Sequence, residues 1–97
     1  ETIRLDQNNV KAHYNIGIQY GKIGDFLSAI DEFKKVVSLK PDYPEAHYNL
    51  AISYLGLNMP DIGAAKLHLN TAERLGYKID YALLEHLKKL ELDEDKR

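Results

Sequence analysis

The sequence predicts an all-α fold built from a helical repeat, and three observations predict it. The stretch AHYNIGIQY at 12–20 returns as AHYNLAISY at 46–54, an offset of 34 residues with six of nine positions identical. Apolar residues recur at helical spacing, as with His13, Ile16, Gly17 and Tyr20 at i, i+3, i+4 and i+7. No stretch shows strand alternation of useful length. A fixed period in this range marks stacked arrays, in which each unit covers the apolar face of its neighbour.

The elements follow in order. Ile3 aligns with Val37, Leu5 with Leu39 and Asn8 with Asp42, so residues 1–9 read as the end of a truncated preceding repeat helix. The first unit spans 10–43. Its first helix starts after Asn9, a good N-cap, and ends at Gly24. Its second helix, capped by Asp25, puts Phe26, Ala29, Ile30, Phe33, Val36 and Val37 on one face, and Pro41 stops it. The second unit spans 44–77. Pro44 sits near a helix start, and His47, Leu50, Ala51 and Tyr54 face inward. A loop around Gly56, Asn58, Met59 and Pro60 follows, longer than its counterpart. The next helix presents Ile62, Ala65, Leu69, Ala72 and Leu75 and ends near Gly76. Residues 78–92 form a last helix with Leu83, Leu84, Leu87 and Leu90 on one face and Glu85, Lys88, Lys89 and Glu91 towards water. Residues 93–97 are a charged tail expected to fray.

These residues resemble the tetratricopeptide repeat, whose pattern is W-x2-L-G-x2-Y, A-x3-F and P in about 34 residues. The first unit reads His13-x2-Ile16-Gly17-x2-Tyr20, Ala29-x3-Phe33 and Pro41. The second reads His47-x2-Leu50-Ala51-x2-Tyr54 and Ala65-x3-Leu69, with Tyr77 where the closing proline belongs. The resemblance covers 1–77. It implies helix-turn-helix repeats stacked as a right-handed superhelix, here with a C-terminal capping helix. Small residues at Gly17, Ala29, Ala51 and Ala65 mark close helix crossings.

The first helix of each unit carries apolar residues on a further face: Tyr14 and Ile18, then Tyr48, Ile52 and Leu55. A stacked pair does not readily hide both faces, so the surplus one is a candidate contact surface. The resemblance implies the same: first helices line a concave groove for peptides or helices. Carried over, the groove holds Lys11, Tyr14, Asn15, Ile18, Gly21 and Lys22, then Glu45, Tyr48, Asn49, Ile52 and Leu55. Asn15 and Asn49 offer amide donors and acceptors to a ligand backbone, or else stabilise helix packing. Ile18, Ile52 and Glu45 disfavour a C-terminal carboxylate ligand, so the expected partner is an apolar peptide or an amphipathic helix. The alternative is self-association through the same face or the truncated N-terminal edge.

Composition excludes other classes. Thirteen basic and 15 acidic residues give a net charge of -2, without the basic footprint of a nucleic-acid binder. There is no cysteine, hence no thiol chemistry or Cys-based zinc site. No apolar run approaches a membrane span of about 18 residues. His13 and His47 stand a whole repeat apart, so no metal site is expected. GKIG at 21–24 reads as an inter-helix turn rather than a nucleotide-clamping loop. No nucleophile–base constellation appears, so neither catalysis nor a cofactor is expected. The last helix reads as a cap, with a dimer seam or membrane-surface helix as weaker readings. The sequence does not fix the compartment, although the lack of cysteine and of a visible leader leans towards the cytoplasm.

Overall fold

The structure is a computed structural model that describes residues 7–95, with side chains described for 9–93. The expectations for Ile3, Leu5 and Asn8, and for the outer part of the tail, lie outside those residues. Among the described residues there are five helices and no strand: α1 (Gln7–Lys22), α2 (Phe26–Leu39), α3 (Pro44–Gly56), α4 (Ile62–Arg74) and α5 (Tyr81–Asp95). α1 packs on α2 and α3 on α4 as hairpins, α2 packs on α3 to join them, and α5 lies against α4.

Local chemistry sets the boundaries. α1 is already helical at Gln7, so Asn9, the expected cap, lies inside the helix. It ends in a Schellman turn. Gly24 takes φ +82°, its amide donates to Gly21 O, and the Asp25 amide donates to Tyr20 O at 2.9 Å. Asp25 then caps α2 by accepting from the Ser28 amide at 3.2 Å. Asp61 caps α4 in the same way, accepting from the Ala64 amide at 3.0 Å. α4 closes on a second Schellman turn, with Gly76 at φ +99° and the Tyr77 amide donating to Ala72 O at 2.9 Å. Leu75 therefore leaves the buried face, where it was expected, and is exposed at the cap.

Gly56 also departs from expectation: it is the last residue of α3, not part of the loop. A Cβ there would lie 2.7 Å from the Phe26 ring, so the crossing needs glycine. α5 runs to Asp95, so the acidic stretch expected as tail stays helical through that residue. Glu91, expected to face water, is half-buried and accepts from Lys66 Nζ at 3.0 Å.

The core follows the repeat. Ala29, Ile30, Phe33 and Leu50 form one buried cluster across the two units, and Ala51, Ile62, Ala65, Leu69 and Leu87 form another. Ile16 and Leu50 occupy equivalent positions, yet Leu50 is 0% exposed and Ile16 is 44%. This corrects the inward placement of Ile16. The α2 face covers Leu50, whereas no described helix stands in front of α1. Such a difference in burial is worth about 1 kcal/mol.

Histidine replaces the marker tryptophan in both units, and each ring is tied to the following helix. His13 Nδ1 lies 2.7 Å from Glu32 Oε1. His47, which is buried, lies 3.1 Å from His68 Nδ1 through its own Nδ1, and its Nε2 donates to Pro41 O at 2.8 Å. Glu32 and His68 are themselves equivalent once the longer loop is allowed for. A carbonyl only accepts, so neutral His47 carries its proton on Nε2 and accepts from His68 through Nδ1.

Candidate functional site

Two tyrosine pairs form on the first-helix face. Tyr14 of α1 stacks on Tyr43, with centroids 5.1 Å apart and planes 19° apart. Tyr48 of α3 stacks on Tyr77 at 4.5 Å and 28°. Both members repeat at the same 34-residue offset. The backbone places the outer rings. Tyr43 is held extended (φ −107°, ψ 92°) because it precedes Pro44 at the start of α3. Tyr77 follows the positive-φ glycine of the second Schellman turn, whose hydrogen bond fixes its amide. The sequence reading chose Tyr14 and Tyr48 but missed Tyr43 and Tyr77. The 34-residue offset was a signal that could have found them.

Burial is the main reason the Tyr14, Tyr43 and Tyr48 hydroxyls stand above the ordinary tyrosine range. Nearby acidic groups add to it: Tyr43 and then Glu45 on Tyr14, Glu45 on Tyr43, and Tyr77 and then Asp80 on Tyr48. The phenols therefore stay neutral and hydrogen-bonding through the physiological range.

One helical turn further on, a cleft of about 200 Å³ lies among α1, α2 and α3. Ile18, Gly21, Lys22, Asn49, Ile52 and Ser53 line its sides, with Gly17, Phe26 and Phe33 completing it. Gly21 is the open point of this surface: a Cβ there would meet nothing within 4 Å. Gly17 is the opposite, since a Cβ would come within 2.7 Å of the Phe33 ring.

The expected site residues divide accordingly. Ile18, Lys22, Asn49 and Ile52 meet at the cleft. Lys11, Asn15 and Glu45 are exposed outside it. Tyr14 and Ile18 are half-buried and pack on the Ala29–Leu50 cluster; Tyr48 and Leu55 pack on the cluster around Leu69. These rings thus serve the fold as well as the surface. Asn49 does not keep a free amide donor, because its Nδ2 donates to Tyr14 Oη at 3.0 Å and to Glu45 O at 2.9 Å. Only its Oδ1 is left to accept.

A second cleft of about 230 Å³, which the sequence reading missed, lies between α4 and α5 and is lined by Leu69, Tyr81, Leu84 and Leu87 among others. Among the described residues no cluster of three or more metal-ligating side chains forms, and no helix is long and apolar enough to cross a membrane.

Comparison with known proteins agrees with the repeat pattern. Residues 19–58 match the family model of the TPR repeat. The chain is 35% identical over 51 residues to an uncharacterized protein of Methanocaldococcus jannaschii, a match covering 50% of this chain and 59% of that relative. The chain thus spans little more than half the length of that protein. No solved structure matches it significantly. Tetratricopeptide repeats suggest a protein–protein interaction module, and the family is generally a non-catalytic scaffold for protein or peptide partners. The matched repeat and the five described helices are consistent with an all-α helical repeat fold of the tetratricopeptide kind.

Proposed function

We propose that the chain is a non-catalytic protein–protein interaction module that docks an apolar peptide or amphipathic helix on the α1/α3 surface. The observation that carries this reading is the cleft over Gly21. Ile18 and Ile52 flank it, and the tyrosine stacks of both units continue it along the same helices. Residues four apart share a helix face, so Tyr14 leads to Ile18 and Tyr48 to Ile52.

Gly21→Leu tests it without removing a core contact. The new side chain enters open space, and replacing a helical glycine favours the fold by about 0.5–1 kcal/mol. The expected outcome is an unchanged or raised melting temperature together with lost binding of a blocked amphipathic peptide of Leu, Ala and Gln. Unchanged peptide binding by this variant contradicts the reading. Exposed Ile16 and Leu39 favour a second reading, self-association through the α1 edge. Light scattering over a hundredfold concentration range distinguishes it: a dimer that persists on dilution and dissociates in Ile16→Glu supports self-association.

A further inference from the structure

The two tyrosine stacks differ in one respect. In the first unit a cation already sits on the stack: Lys40 Nζ lies 5.3 Å from the Tyr43 ring centroid. That distance is within the roughly 6 Å over which an aromatic face attracts a cation. In the second unit Gly76 takes the place of Lys40 in the register of α4 with α2, while the 34-residue offset of the tyrosine pairs puts Arg74 there. Among the described residues no cation lies over the ring of Tyr77, whose partner is Tyr48.

A carboxylate beside the second stack suits a cation. Asp80 stands three residues after Tyr77 and acts on the Tyr48 hydroxyl. The Asp80 carboxylate also accepts from the Ala82 amide at 3.1 Å, which holds it at the start of α5. Arg74 and Lys78 are the neighbouring basic residues in sequence; both are exposed and form no ion pair among the described residues.

We propose that the Tyr48–Tyr77 stack, with Asp80 beside it, seats an arginine or lysine side chain of the partner segment. The inference rests on the docking surface proposed above and names what that segment carries. It is an apolar stretch that also carries a basic residue. The second unit thereby takes from the partner the cation that the first unit supplies from Lys40. Arginine suits the seat better than lysine, because its planar, weakly hydrated guanidinium stacks on aromatic faces.

The test uses the full chain labelled with nitrogen-15 and four blocked amphipathic peptides of Leu and Ala that differ at one position, holding Arg, Lys, Gln or Glu. The expected order is Arg, then Lys, then Gln, then Glu. The Arg peptide binds about three- to tenfold tighter than the Gln peptide, the range of a partly exposed cation–π contact. Tyr77→Phe keeps that preference, whereas Tyr77→Leu, which retains apolar bulk, removes it. Equal binding of the Arg and Gln peptides at the amides of Ile18, Gly21 and Ile52 overturns the cation seat and leaves the docking surface standing. Failure of all four to perturb those amides overturns both. A Tyr77→Leu variant that keeps its helicity and its full Arg preference overturns the assignment to this stack.

Discussion

Gly17 and Phe33 show at the residue scale how the two units solve the same packing problem differently. In the first unit the Phe33 ring fills the crossing and leaves no room for a Cβ at Gly17. In the second unit Ala51 and Leu69 hold the equivalent places, and both are buried in one cluster. The smaller side chain on one helix admits the methyl on the other, so the pair exchanges volume rather than adding it. Gly17→Ala alone is expected to cost about 1–3 kcal/mol from overpacking. Gly17→Ala combined with Phe33→Leu copies the second unit and is expected to recover most of that loss. Urea unfolding of the two single variants and the double measures the coupling; additive losses contradict the account.

At the scale of the element, the histidine ties join first helices to second helices, and they respond to pH differently. Burial chiefly, then His47 and Lys34, depress the His68 imidazole below the ordinary 6.5. The folded state thus resists a proton that the unfolded state accepts. The stability that depends on neutral His68 is present above about pH 6.5 and is lost as pH falls through the depressed folded value. In the first unit Glu32 is held below the ordinary 4.5, chiefly by its hydrogen bond to His13. Its contribution is present above that value and is lost only as pH falls into the acid carboxylate range. The melting temperature is therefore expected to start falling below about pH 6.5, and His68→Glu, which copies Glu32, is expected to move that fall into the carboxylate range. A wild-type melting temperature that is flat from about pH 7 to pH 5 contradicts this assignment. The helices themselves were largely legible in the sequence. Asp25, Asp61, Pro44 and Pro41 mark their ends by local chemistry. The ties of His47 to His68 and Pro41 were not, because they join side chains 21 and 6 residues apart whose meeting depends on the packed hairpin.

The whole molecule is a short stack, and its position in that stack decides what each equivalent residue does. Leu50 is core because α2 covers it, while Ile16 is surface for want of a described counterpart. Sequence periodicity gives both the same inward placement, since it reads a helix face and not the neighbour that covers it. The candidate surface was legible to the same degree. Ile18 and Ile52 both line the cleft. Tyr43 and Tyr77 lie outside the periodic helices and reach the face only through a pre-proline residue and a Schellman turn. Spacing left Asn49 as either a ligand clamp or a packing residue, and folding engages both of its donor hydrogens. The central claim is that the partner docks on the α1/α3 face, and amide chemical-shift mapping of the full chain with the Arg-bearing amphipathic peptide tests it most directly. The account predicts saturable shifts centred on Ile18, Gly21, Ile52 and Tyr77 that vanish in Gly21→Leu. Shifts centred instead on Tyr81, Leu84 and Leu87 at the α4/α5 cleft, or shifts that survive Gly21→Leu, would contradict it.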